Sequence, residues 1–295
     1  MLKLLPGDPV QTILGNGAAD PVKVAALRDE LGLDRPFLTQ YATWAGRFLT
    51  GDFGRTYNQG EEPVRTVILR NIPVTLELAV LALTLALLIS IPLGVLAAYR
   101  SGSRLDRLIS VGNYAALSAP AFVIGPVLIY FVGLRLGWLP VGQFTPWGDG
   151  PIDHIRSLIL PAVTLAIAQV PNFCRILRTD MESTLKEDYI TLAKTKGLSD
   201  IRILALHAMR PSSLTLMTVA AVNLGGLISG AVVVERLFNL PGLGFLLLGG
   251  IAQREYLLVL GVVTVITIVI LLLGTGVDLL YGVVDPRVRT SRALG

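Results

Sequence analysis

"YLLVLGVVTVITIVILLLGTGV", Tyr256–Val277, runs for 22 residues without an Asp, Glu, Lys or Arg. It is apolar on every side, so the alternation of a membrane barrel strand does not fit it. A hydrocarbon core of about 30 Å takes roughly 20 such residues as helix. Working outward along the chain, Val74–Ala98, Leu108–Leu134, Ser157–Cys174 and Pro211–Val234 have the same character. Three of these hold no charged residue, and Val74–Ala98 holds only Glu77, near one end. The chain of 295 residues is 53% hydrophobic and 16% charged, where a soluble domain carries about 25% charged. These features predict an all-α polytopic membrane protein, a helical bundle with five visible spans. Pro92, Pro120, Pro126, Pro161 and Pro171 are expected to kink spans or mark their ends. Gly226 and Gly230, in G-x-x-x-G spacing, permit close helix approach.

The basic residues sort by loop. Arg100, Arg104 and Arg107 lie between the first two windows; Arg175, Arg178, Lys186, Lys194, Lys196, Arg202 and Arg210 lie between the third and fourth. Arg287, Arg289 and Arg292 follow the fifth, whereas the alternate loops, Gly137–Arg156 and Glu235–Glu255, hold only Arg156, Arg236 and Arg254. The positive-inside rule places the first group, and the C-terminus, in the cytoplasm. Charge sorted by side of a bilayer argues against a nucleic-acid partner.

With five spans and the C-terminus inside, residues 1–70 fall outside, yet "MLKLLPGDPV" is too short to be a signal peptide or a span. The expectation is that a first span is missing and that the natural product has six. Residues 1–70 then read as the remnant of that span plus a small external subdomain, and 71–290 as the transmembrane domain. In the subdomain, "DPVKVAALRDELGLD" suggests a short helix with Val24, Leu27 and Leu31 on one face and Gly32 as its stop. "FLTQYATWAGRFLTGDFG" suggests a second, with Trp44 and Phe48 on one face packing at the membrane surface.

Catalytic chemistry is poorly provided for. The two histidines, His154 and His207, fall on opposite sides of the membrane, and Cys174 is the single cysteine, so no His-based metal pair and no intrachain disulfide is expected. No Gly-Lys dipeptide occurs, which removes the phosphate-cradling G-x-x-x-x-G-K-[ST] loop. The spans also lack the buried acids and bases expected of a proton relay or ion filter. An enzyme reading fails, and any work of transport must come from a partner.

Between the third and fourth windows lies "KEDYITLAKTKGLSDIRILALHAMRP", Lys186–Pro211. Thr184 and Glu187 fit a capping box opening a helix across "EDYITLAKTK". Gly197 suits a left-handed cap, and Ser199 or Asp200 can cap a second helix running to His207. Tyr189, Ala193 and Gly197 recur every four residues, and the small pair Ala193 and Gly197 leaves a notch for a partner's side chains, flanked by Lys194, Lys196 and Arg202. A solvated loop helix fits the same spacing.

The stretch resembles the cytoplasmic motif of ABC-transporter permeases. It is most similar to the dipeptide, oligopeptide and nickel branch, through Asp188, Tyr189, Ala193, Lys196, Gly197, His207, Ala208 and Arg210. The wider superfamily's acidic position is Thr191 here. "LLPGDP" at Leu4–Pro9, "GDFGRTY" at Gly51–Tyr57, "NIPVTLELA" at Asn71–Ala79, "ERLFNLPGLGFLLLGGIAQREY" from Glu235 and "DLLYGVVDPRVR" at Asp278–Arg289 resemble the same branch. In the external loop the matching residues are Glu235, Phe238, Pro241, Gly242, Gly244 and Arg254; where the family continues Asp-Tyr-Pro, this chain has Glu255 and Leu257.

The resemblance implies a permease subunit of an ATP-driven peptide importer in a bacterial cytoplasmic membrane, forming half of the translocation pathway. It implies two ATPase subunits, which bind the ATP, a second and related permease chain, and an external solute-binding protein. Cytoplasmic coupling helices fall at 184–210, with Glu187, Asp188, Tyr189, Ala193, Lys196 and Gly197 as ATPase contacts. Glu235, Phe238, Pro241, Gly242 and Gly244 are implied contacts of the binding protein or the solute. No cofactor or metal of the chain's own is implied. A same-branch permease for nickel, glutathione or another small solute stays open, as does a membrane scaffold that recruits a cytoplasmic partner without moving solute.

Overall fold

The computed structural model describes Val10 and residues 21–30, 36–57 and 61–284. Leu4–Pro9, Leu31, Gly32, Arg287, Arg289 and Arg292 lie outside the described residues. In chain order the helices are α1 (Pro21–Glu30), α2 (Phe37–Leu49), α3 (Val64–Tyr99), α4 (Arg104–Ser118), α5 (Ala121–Arg135), α6 (Pro151–Thr184), α7 (Asp188–Thr195), α8 (Asp200–Leu237), α9 (Leu243–Ala252) and α10 (Tyr256–Val284). The two β residues among those described are an isolated antiparallel bridge, Arg55 to Pro63.

Among the described residues four helices, α3, α6, α8 and α10, are long and apolar enough to cross a bilayer. The expected second span, Leu108–Leu134, is not a straight helix. It is the pair α4 and α5, bent by 101°. Ala119, just before Pro120, is extended (φ −105°, ψ 112°), the conformation that a following proline ring imposes. Beyond Pro126 the helix widens to π-type turns at Ile129–Arg135. By contrast, Pro161 and Pro171 sit inside α6 without ending it, so the expected Ser157–Cys174 span is the middle of a 34-residue helix. Gly150 (φ 148°) turns the chain into it and Pro151 opens its first turn, where a missing N–H costs nothing.

The chain divides into two compact units. One comprises the described residues up to Val74 with Pro241–Thr267; the other comprises Thr75–Leu240 with the described residues from Ile268. Residues 241–267, expected within the transmembrane domain, thus group with the N-terminal part. In the first unit Val64, Val67, Ile68, Leu243, Leu246, Leu258 and Val262 form the core. Trp44 lies beside Phe48, and Phe48 stacks on Phe53 at 4.4 Å, as the one-face spacing of α2 predicts. "GDFGRTY" runs over this core as a strap: Gly54 (φ +82°) brings its backbone so close to Leu257 that a Cβ would lie 2.7 Å from Cδ1.

In the second unit α6 is central, with 67% of its apolar window buried against 33% for α8. Lipid is as apolar as leucine, so such packing is driven by close contact rather than by water. The interface is accordingly small: Ala86, Ala98, Ala166, Ala208 and Ala220 join Phe173, Leu177, Met181 and Leu216 in one core. α3 approaches α6 closely at Gly94, where a Cβ would stand 3.2 Å from the Cys174 carbonyl oxygen and from Leu177. Gly226 of the G-x-x-x-G pair has nothing within 4 Å, and Gly230 meets only Leu165. Its neighbour Gly225 makes the tight contact instead, against Ile270 at 3.3 Å.

Because backbone lies beneath Gly94, the helix pair cannot yield locally. Gly94→Leu is expected to lower unfolding stability in micelles by about 1–3 kcal/mol, the usual overpacking cost. A wild-type denaturation midpoint would show that the two helices do not meet there.

Candidate functional site

The polar corner between α6 and α8 is built from a short helix and a tight cap. α7 starts at Asp188 with Glu187 extended before it, and no side chain caps it. The expected Thr184–Glu187 capping box is therefore not formed. Thr184 is the last residue of α6, and its hydroxyl lies 3.1 Å from Ser212 Oγ on α8. The other end behaves as the sequence predicts. Gly197 has φ +76°, its N–H donates to the Lys194 carbonyl at 3.0 Å, and the Leu198 N–H donates to the Ala193 carbonyl at 3.3 Å. Those two bonds define a Schellman cap. Leu198 packs on Ile190, Ala193 and Ile203, so the corner has a small core of its own.

That core decides which residues face outward. Glu187, Asp188, Tyr189, Lys196 and Gly197 are exposed. Ala193 is not: it is 7% exposed and packs inward, so the expected notch is formed by Gly197 without it. The residues that sequence reasoning missed are Leu192 and Ile201, 55% and 80% exposed. Their signal was the inward pair Ile190 and Ala193, which leaves Tyr189 and Leu192 on the opposite face of α7. Tyr189, Leu192 and Ile201 thus leave exposed apolar surface on an otherwise polar corner.

The second expected helix does not stop at His207. Ser199 is its N-cap residue, and it continues through π-type turns at Ile203–Ala208 into the span as far as Leu237, 38 residues in all. The corner and the fourth span are one helix.

The external-loop residues begin at the end of α8. Asn239 takes φ +54° and the Leu240 N–H reaches the Glu235 carbonyl at 2.9 Å, capping α8 as Gly197 caps α7. Glu235 is fully buried and accepts a 2.7 Å bond from the Thr75 hydroxyl. Phe238, Gly242 and Gly244 are buried and Pro241 is half-buried. Glu235 is thus a buried carboxylate with a protein donor, the condition under which such burial is tolerated.

Just outside the apolar windows the chain does bury ionisable groups. Asp106, His154, Glu235 and Glu255 are all buried. Asp106 on α4 accepts from Arg178 of α6 and from the Gly102 N–H, both at 3.0 Å. His154, stacked on Trp147 at 4.2 Å, reaches Glu77 at 2.9 Å and the Thr145 carbonyl at 2.7 Å. Glu255 accepts the Tyr57 N–H on both oxygens at 3.0 Å. Each buried group has protein partners, the condition under which such burial is tolerated. Among the described residues no three His, Cys, Asp or Glu side chains form a metal-binding group.

Residues 90–290 match the family described as the binding-protein-dependent transport system inner membrane component. The chain belongs to this family. It is thus a multi-pass component of the inner membrane, and the matched region runs from the end of α3 through the capped corner and the last span. A relative in Sinorhizobium fredii, named "Probable peptide ABC transporter permease protein y4tP", is 37% identical over 98% of this chain and 92% of its own length. The Bacillus subtilis oligopeptide transport system permease protein AppB is 36% identical over 98% and 92%. Among solved structures, an inward-facing MetNI methionine ABC transporter chain aligns with TM-score 0.61 and 17% identity over 74% of this chain and 96% of that one. A chain of an amino acid ABC transporter with histidines aligns with TM-score 0.55 and 13% identity, over 73% and 93%. At those identities they show that this permease shares their fold.

Gly197→Pro removes the N–H that bonds Lys194 and forbids φ +76°, so the cap cannot form. Amide protons of residues 193–200 are expected to lose hydrogen-exchange protection while α6 keeps its own. Unchanged protection at the corner would contradict the cap.

Proposed function

We propose that the chain is one of two permease subunits of an ATP-driven peptide importer, and that the α7–α8 corner is where an ATPase subunit docks. The observation that carries this reading is the unbroken helix from Asp200 to Leu237. A push on the corner cannot be lost in a flexible loop, because none intervenes. The corner and the C-terminus face the cytoplasm, as the loop charges argue. Two ATPase subunits bind the nucleotide, a second permease completes the pathway, and an external binding protein delivers solute. Peptide as the solute rests on the relatives named for peptide and oligopeptide transport.

In the mechanism Leu192, Tyr189 and Ile201 enter a groove of the ATPase, with Glu187, Asp188, Lys196 and Gly197 around them. Their apolar surface stays wet until docking covers it. ATP draws the two ATPases together; α7 moves with its ATPase, and α8 follows because the two share the Ile190–Ala193–Ile203 core. The spans then exchange inward and outward openings as a rigid-body change. ATP must bind one state more tightly than the other, or it would shift nothing.

Leu192→Asp removes one buried apolar contact from that interface. It is expected to weaken ATPase binding by about 2 kcal/mol, roughly thirtyfold in affinity, with membrane insertion intact. The check is co-purification of the ATPase with the permease pair, alongside uptake of labelled di- and oligopeptides into proteoliposomes. Full retention of the ATPase would move the docking surface elsewhere; uptake of another solute class with no peptide uptake would refute the substrate.

A further inference from the structure

The corner touches the membrane portion at more than its own helix. Tyr99, the last residue of α3, donates its hydroxyl to Asp200 Oδ2 at 2.6 Å, across 101 residues of sequence. That length is typical of an O–H bond to a carboxylate, the stronger class of hydrogen bond. Asp200 is the first residue of α8, straight after the Gly197 cap and Ser199. Its charge there is favoured by the helix N-terminus.

Three further features give this bond a mechanical role. Packing between the two helix ends is incomplete: a 220 Å³ cavity is lined by Ala98, Tyr99, Glu182, Lys194, Asp200 and Leu204. The π-type turns at Ile203–Ala208 begin three residues after Asp200, and such turns are frequent at functional sites. Beyond them the Thr184–Ser212 contact ties α8 to α6 at 3.1 Å. The π segment is therefore bracketed, with α3 held at its upstream end and α6 at its downstream end. A displacement of the corner can either strain the π segment or pull α3 along through Asp200.

We infer that Tyr99 and Asp200 form a latch that makes α3 follow the α7–α8 corner, so that Tyr99 is a positioning residue for energy coupling rather than an ATPase contact. The inference rests on the docking of an ATPase at the corner. With the latch closed, motion of the corner reaches α3 and α8 together. With it open, the corner still moves α8 but leaves α3 behind, and hydrolysis opens the pathway less often. Asp200 is exposed, and Tyr99 remains 42% exposed, so the bond can break and re-form without unpacking a core.

The test uses the complete transporter in proteoliposomes with Tyr99→Phe, Asp200→Asn and the double variant. Three quantities are read: ATPase co-purification, ATP hydrolysis, and solute imported per ATP. The expected result is unchanged co-purification and hydrolysis with import per ATP reduced about fivefold or more, the lower end of measured allosteric couplings. The double variant should fall no further than either single one, because both remove the same bond. An unchanged import ratio, or additive losses, overturns the latch. Loss of the ATPase only in the variants overturns it as well, by making these residues docking contacts. If the wild-type chain retains no ATPase, the docking reading fails and the latch with it.

Discussion

Inside a bilayer a helix has no water to take over a broken backbone hydrogen bond, so a span that starts outside the membrane must keep its ladder closed on the way in. That constraint turns α8 into a rod. It begins at Asp200 on a polar corner and ends at Leu237, and its start is fixed by Gly197 and the small core around Ile190. A backbone hydrogen-bond ladder transmits force without side-chain chemistry, so under the proposed function a neighbour can drive a chain that has no Gly-Lys phosphate loop of its own. Docking, latch and span movement all presuppose that this rod does not come apart at the corner.

Packing in the second unit serves the same end. The close contacts are made by small residues: Gly94 sets α3 against the α6 backbone, and Gly225 lets the Ile270 side chain close on α8, so the helices have little room to slide. Polar ties stand at the margins: Asp106 with Arg178, Thr184 with Ser212, Glu77 with His154. Each links two elements distant in sequence and leaves the apolar middle of the spans to small-residue contact. The exposed remainder, including Tyr114, Phe122 and Phe131 on α4 and α5, is apolar surface suited to lipid.

Much of this was legible in the sequence, for local reasons. Runs without charge gave the long helices, and Gly197 between two polar helical stretches gave the cap, since both depend on neighbours within a few residues. What could not be read depended on distant partners. Ala193 looked like an open notch because Ile203, which covers it, belongs to the next helix. Glu235 and Phe238 looked like an external surface, but Thr75, 160 residues away, supplies the hydrogen bond that holds the Glu235 carboxylate inside. Thr184 matched a capping box in composition while the third span simply ran longer than its apolar window. The bend at Pro120 was marked as a kink, but a one-dimensional apolar run carries no sign of its 101° size.

The most direct measurement is photo-crosslinking from a reactive side chain placed at Leu192, with Tyr114 as a membrane-level control, in cells that express the whole transporter. The account predicts a strong adduct between the Leu192 position and the ATPase subunit and none from the Tyr114 position. An ATPase that cross-links from neither position, or from Tyr114 alone, would contradict the claim that this corner receives the driving force.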